Sequence, residues 1–317
     1  MPVSVTLYCT RCEGRAEPVE GDYVCVRCDQ RLPRRHGVVW TSPGETPRLF
    51  DRARYAVERG WLAAAERELK VQGLAPRALM SRLNGVRTER MADWQFLVEP
   101  ERDGAALLIG DTWGAHMAAL SRVVKDIVMF EQDPAAAQYL RVRADQASLP
   151  NVSAIVGGRG VDDFPFKREQ FSLVALVGPW LRTAADAGRG KVLDRIVETS
   201  FRLLRKGGSL MMGLPNVLRF PFTGRGVGRD AVAGTPYGLR ARLARAGFQD
   251  LGLYLPSPDL TDYQGLVSLD SRRALRYFHV TYRHPRARWK RVLLGATIDI
   301  GLIPVVAPSC IATARKP

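Results

Sequence analysis

From residue 105 onward, short apolar runs alternate with segments of helical periodicity, and this alternation constrains the chain more than any other feature. "AALLIG" (105–110), "DIVMFEQD" (126–133), "VSAIVGG" (152–158), "FSLVALVG" (171–178) and "GGSLMMGLP" (207–215) read as strands. "AHMAALSRVV", "PAAAQYLRVRADQA" and "VLDRIVETSFRLLR" read as helices between them, the second opened by Pro134 at the favoured first helical position. Strands that are apolar on both faces and joined through helices pair in parallel, with helices covering both sides. The expected fold class is therefore α/β, a doubly wound, mostly parallel sheet. Ligands on such sheets bind at the carboxyl ends of the strands, near the point where the strand order reverses.

Four stretches mark that end of the sheet: "LLIGDTWG" after the first strand, "MFEQDP" ending the second, "DDFPF" followed by "FSLVALVGPW" at the fourth, and "LLRKGGSLMMGLPN" at the fifth. In order and spacing they resemble the class I S-adenosylmethionine-dependent methyltransferases. The resemblance spans about residues 96 to 256 and resumes at "SCIATARK", the expected seventh strand. It implies a seven-stranded Rossmann-like sheet with S-adenosylmethionine as cofactor. "PNVLRF", "YGLRARLARAGF" and "PSPDLTDY" resemble more loosely a bacterial branch associated with polysaccharide and secondary-metabolite pathways.

The resemblance assigns roles residue by residue. Gly110 and Gly114, with Asp111 and Thr112 between them, would let the backbone approach the methionine part of the cofactor. Glu131, with Gln132 beside it, would accept hydrogen bonds from the ribose diol. Asp162 or Asp163 would take the adenine amino group, and Val177 and Gly178 would lie beside the reacting methyl. The chain departs from the family pattern at three positions. Leu108 stands where an acid is usual, Thr112 where the middle glycine is usual, and Gly160 where an acid is expected after the third strand. An acid at 108 would contribute a charge-assisted bond to the cofactor ammonium, about 1.5–3 kcal/mol. Asp111 is the nearest replacement. The scaffold alternative, a methyltransferase-like fold without activity, rests on Leu108 and Thr112.

Ahead of this region, Cys9, Cys12, Cys25 and Cys28 form two C-x2-C knuckles. Four thiolates at this spacing suit a tetrahedral, closed, structural zinc site. So short a segment lacks a core of its own, so the metal would supply its folding energy. Cys310 stands alone in an apolar stretch and reads as a core residue. His36, eight residues beyond Cys28, reads as surface. The expected organisation is a zinc ribbon over 1–45, a helical linker or lid over 46–95 with a break near Gly60, and the methyltransferase-like domain over 96–317.

A cap insertion at about 259–305 separates the sixth and seventh strands. It supplies Tyr263, His279 and His284 as candidate catalytic groups, imidazole being the side chain that titrates near neutrality. His116, on the helix after the glycine turn, is a further pocket candidate. The substrate expected under this cap is a small molecule, methylated on oxygen or nitrogen. The alternative is RNA held by the ribbon, since some ribosomal RNA methyltransferases carry a similar one and the net charge is +15. Against it, "VGPW" stands where base-amino methyltransferases carry their asparagine- or aspartate-proline-proline-type tetrapeptide. A protein partner or a homodimer is also compatible with the sequence. The densest basic block is "RHPRARWKR" (283–291). "VLLGATIDIGLIPVV" follows it, and Asp299 in its middle argues for packing rather than membrane insertion. No run is long and apolar enough to span a bilayer, and "MPVSVTLYCTRC" lacks a basic segment followed by an apolar one, so the expected location is cytoplasmic.

Overall fold

The structure is a computed structural model, described over residues 5–41, 49–111, 113–157, 164–177, 189–218, 233–257, 260, 263, 265–281 and 295–317. Thr112, Gly160, Asp162, Asp163, Gly178 and His284 lie outside the described residues.

The chain begins with a four-stranded antiparallel unit: β1 (Leu7–Tyr8), β2 (Arg15–Val19), β3 (Asp22–Cys25) and β4 (Arg31–Leu32). β5 (Arg34–Arg35) and β6 (Val38–Trp40) follow, then α1 (Asp51–Arg59), α2 (Trp61–Val71), α3 (Pro76–Thr88) and α4 (Gln95–Val98). The break between α1 and α2 is Gly60, at φ +91°, a conformation that costs a glycine little. The alternating part comprises β7 (Ala105–Ile109), α5 (Ala115–Leu120), β8 (Asp126–Glu131), α6 (Pro134–Gln146), β9 (Val152–Val156), β10 (Phe171–Leu176), α7 (Arg189–Leu203) and β11 (Leu204–Pro215). Next come α8 (Pro236–Arg245), β12 (Gln249–Ser257), β13 (Gly265–Ser268), α9 (Arg272–Thr281), α10 (Ile303–Val306) and β14 (Ser309–Arg315). Local signals set several starts. Asp133 caps α6 by accepting from the Ala135 N–H at 2.9 Å, and Thr235 caps α8 through the Gly238 N–H at 3.0 Å.

The fold is mixed α/β around a mostly parallel sheet, ordered β13-β12-β14-β11-β10-β7-β8-β9-β6-β5. β11, β10, β7, β8 and β9 are parallel neighbours, and β14 enters antiparallel between β11 and β12. The sheet has ten strands, where seven were expected. β13 adds to the β12 edge from within the cap region. At the other edge, β6 pairs in parallel with β9 and β5 folds back upon β6. The strand leaving the cysteine unit is thus an integral part of the large sheet, because "VVW" is apolar on both faces and fully buried there.

The two faces of the sheet alternate residue by residue, as a period of two requires. Leu107, Ile109, Val128 and Phe130 share one core with residues of α7 and α8. Leu7, Ala16, Tyr23 and Leu32 of the cysteine unit belong to the same core, and the Tyr8 N–H donates to the Pro165 carbonyl at 2.9 Å. Leu108, Ile127 and Met129 face the other core, with Ala56 of α1, Ala64 of α2, Trp94 and residues of α5 and α6. The N-terminal helices therefore cover one face and the cysteine unit covers part of the other.

Candidate functional site

The strand order reverses between β7 and β10, which opens the crevice where such sheets take ligands. The Val177 N–H donates to the Ile109 carbonyl at 2.9 Å, closing the base of that crevice. Gly110 and Gly114 both have positive φ, +80° and +77°. Gly114 is also crowded: an added Cβ would lie 3.0 Å from Leu140 and 3.1 Å from Arg143, so those side chains would have to give way.

Asp111 is buried, and its oxygens serve the turn itself. It accepts from the Gly114 N–H at 3.1 Å, the Met117 N–H at 2.8 Å and His116 Nδ1 at 2.9 Å. With a carboxylate as the acceptor, Nδ1 carries the imidazole proton. Asp111 thus satisfies donors at the start of α5, and His116 is held by it. Leu108 is fully buried in the core. Packing occupies the position where the family pattern carries an acid.

Glu131 ends β8 with its side chain buried. The Gly110 N–H donates to its carboxylate, while Oε1 is buried and has no hydrogen-bond partner. Burial pushes the carboxyl up to about 8, with Asp111 and Asp133 adding to the shift and Arg52 opposing it. Burial therefore favours the protonated form near neutrality. Gln132 beside it is partly buried. Gly157, after β9, is required by packing, since an added Cβ would lie 2.0 Å from the Phe130 ring.

An aromatic and cationic cluster, not anticipated from the sequence, surrounds the turn. The Arg52 guanidinium of α1 lies 4.2 Å from the ring centres of both Trp113 and Tyr139. Arg143, 2% exposed, donates to the carbonyls of Trp113 and, at 3.1 Å, Val86, and stacks 3.9 Å over Trp61. The signal lay in "QYLRVRADQ", where Tyr139 and Arg143 fall one helical turn apart on the buried side of α6. A buried arginine at such a position points to backbone carbonyls in need of a donor.

The cap region divides. Tyr263 is buried in the same core as the glycine turn, and its hydroxyl donates to the Met91 carbonyl. Burial, reinforced by Asp93 and Asp111, holds this phenol well above 10, so it stays a neutral donor. Leu260 packs on Gly213 of β11. His279 lies on α9, whose Leu275 and Phe278 pack against the opposite core, and its Nε2 is 3.3 Å from where a Cβ on Gly295 would stand. Among the described residues, no contact joins His279 to the turn or to Glu131.

Cys9, Cys12, Cys25 and Cys28 converge, with all four Sγ atoms within 4.8 Å of one another and close pairs at 3.3–3.7 Å. These separations exceed a disulfide bond and suit sulfurs on a tetrahedron around one zinc ion, about 3.8 Å apart for a Zn–S bond of 2.3 Å. The Arg11 and Arg27 N–H groups each donate to a sulfur, Cys9 and Cys25 respectively, at 3.4 Å. Gly14 fits the knuckle only as glycine, since an added Cβ would lie 2.8 Å from Cys25 Sγ. His36 is exposed and Cys310 is a fully buried core residue, its thiol pushed up to about 12 by burial.

No family model matches the chain, and no curated protein matches it. Solved structures similar to it include S-adenosylmethionine-dependent methyltransferases and a [4+2]-cyclase. Phosphoethanolamine N-methyltransferase 2 of Haemonchus contortus is 13% identical with a TM-score of 0.48, over 73% of this chain and 52% of that one. The chain thus spans about half the length of that enzyme. A methyltransferase of Thermotoga maritima is 15% identical, TM-score 0.47, over 81% of this chain and 100% of its own. Geranyl diphosphate C-methyltransferase of Streptomyces coelicolor is 13% identical, TM-score 0.45, over 71% and 76%.

Proposed function

We propose that the chain is an S-adenosylmethionine-dependent methyltransferase acting on a small molecule, by O- or N-methylation. The observation that carries the reading is Glu131. A buried carboxyl at the carboxyl end of the second sheet strand, with one oxygen lacking any partner, is costly unless a ligand supplies donors. A vicinal diol supplies two. The positive-φ glycines beside it leave backbone free to approach such a ligand. Gly110, Gly114, Glu131, Gln132 and Val177 are the described residues assigned to the cofactor, and Asp111 acts through the turn that it holds.

The cofactor when bound supplies an electrophilic methyl group. The chain's own residues then have three tasks. Glu131 orients the ribose, and the Arg52 charge, held against Trp113 and Tyr139, favours its ionised form. Tyr263, by its bond to Met91, ties the start of the cap to the N-terminal helices beside the turn. Displacement needs the acceptor aligned at about 3–3.5 Å, which favours an enclosed small substrate over an open one. Cys9, Cys12, Cys25 and Cys28 would hold one zinc ion with no open position, a structural role.

Crystals grown with S-adenosylhomocysteine test the reading. Density with the ribose on Glu131 is expected, and ordered ligand elsewhere, or none at millimolar concentration, contradicts it. Sequence-selective RNA binding that persists at physiological salt would overturn the small-molecule assignment.

A further inference from the structure

We propose that Asp111 and His116 act together to hold the α-ammonium group at the amino-acid end of the cofactor, through His116 Nε2. The inference rests on the methyltransferase reading and adds a residue to its binding site.

His116 sits in the first turn of α5, directly after the glycine turn. It is 5% exposed and Asp111 4%. Nδ1 lies 2.9 Å from Asp111 Oδ1, and the backbone N–H groups of Gly114 and Met117 donate to the same carboxylate. The imidazole proton therefore stands on Nδ1, which leaves Nε2 as a lone-pair acceptor. Among the described residues, Nε2 has no hydrogen-bond partner. A polar atom left unpaired on so buried a side chain points to a ligand that brings a donor. The fully buried Trp94 ring lies 6.1 Å from the imidazole, centre to centre. Tyr263 of the cap region is close enough to Asp111 for that charge to act on its phenol. The pair is thus set among the glycine turn, the segment before α4 and the cap, where burial strengthens its field.

Charge selects the group that it receives. With a neutral imidazole the pair carries the single negative charge of Asp111, so it attracts a cation and repels a carboxylate. Asp111 already serves three donors, and its charge reaches a ligand through His116. The Gly110 N–H donates to the Glu131 carboxylate, so a ligand with its ribose on Glu131 covers the start of the turn, and His116 follows the turn's second glycine. Of the charged groups of S-adenosylmethionine, only the ammonium is both cationic and a hydrogen-bond donor. Leu108, packed in the core, leaves β7 without an acid for it.

Calorimetric titration of the full chain with S-adenosylhomocysteine, and with its analogue lacking the α-amino group, tests the proposal. Wild type should bind S-adenosylhomocysteine at least about tenfold more tightly than the analogue, the value of one charge-assisted bond. His116→Asn keeps an amide N–H for Asp111 and removes Nε2. It should lose at least about tenfold on S-adenosylhomocysteine and less than about twofold on the analogue, which erases the preference. A purely structural role would weaken both ligands together, and that result overturns the proposal. So does a variant that keeps the wild-type preference, or a wild type that binds the two ligands equally, a result that needs no variant to fold. Failure of the methyltransferase reading looks different: wild type then binds neither ligand, nor 5′-methylthioadenosine, which has no amino-acid end, and both inferences fall.

Discussion

Arg52, on the first helix after the cysteine unit, stacks 4.2 Å from the ring centre of Trp113 inside the glycine turn. The N-terminal helices therefore contribute a side chain to the candidate cofactor site. Arg52 also opposes the rise in the Glu131 carboxyl. Replacing it by Ala removes a stacked cation and favours the protonated acid. S-adenosylhomocysteine affinity should fall about tenfold at pH 7, roughly the 1–2 kcal/mol typical of a partly buried cation–π contact. Arg52→Lys should recover part of it. Calorimetric titration checks this, and equal affinities for wild type and Arg52→Ala would remove the residue from the site.

Glu131 gives the ligand-free chain a pH dependence. Its carboxyl stands at about 8, against 4.5 for an unburied glutamate. Between these values the folded chain holds a proton that the unfolded chain has lost. Stability therefore falls as pH rises from about 4.5 through about 8, and is lowest for this group above that range. Glu131→Gln abolishes the effect, so the variant should gain on wild type by a few kcal/mol, in order of magnitude, as pH rises from 5 to 9. Urea midpoints at the two pH values measure it. A constant difference between the two proteins would mean that the carboxyl titrates normally.

Leu108 tests whether the missing acid of the family pattern can be restored. The side chain is fully buried in the core. Leu108→Asp should not improve cofactor binding, and should destabilise the chain by at least about 3 kcal/mol, through lost packing and a buried unpaired charge. Thermal and urea unfolding decide it. A stable variant with tighter cofactor binding would show that the turn still has room for the family's carboxylate.

Much of the fold was legible because its signals are local. Strand and helix periods from residue 105 fixed the order of elements, and Pro134 and Gly60 marked boundaries where they stand in the structure. The cysteine spacing likewise brought four sulfurs together. What could not be read depends on contacts between distant segments. The place of "VVW" in the large sheet depends on its pairing with β9, far along the chain. The places of Arg52 beside Trp113 and of Arg143 over Trp61 depend on α1, α2 and α6 being brought together. Asp111 looked available for a ligand because its partners, three to six residues ahead, depend on how the turn closes.

Zinc should be present at one per chain, and its removal should affect the whole molecule. Leu7, Tyr23 and Leu32 share a core with Phe130, and β6 is hydrogen-bonded to β9. Unfolding the cysteine unit would expose that core. Chelation, or Cys25→Ser, should lower the melting temperature of the entire chain in a single transition. Elemental analysis together with calorimetry tests both statements. Absence of zinc from protein purified without chelator, or a core transition that chelation leaves in place, would contradict them.

The central claim is that Glu131 holds the cofactor ribose, and calorimetric titration of S-adenosylhomocysteine into wild type and Glu131→Ala tests it most directly. Two charge-assisted bonds lost should cost about 2–4 kcal/mol, a thirtyfold or greater loss of affinity. Because the diol favours the ionised carboxyl, binding to wild type at pH 7 should also release a proton, seen as a dependence of the heat on the buffer. The variant should release none from this site. Equal affinity for the two proteins, with equal proton release, would contradict the account.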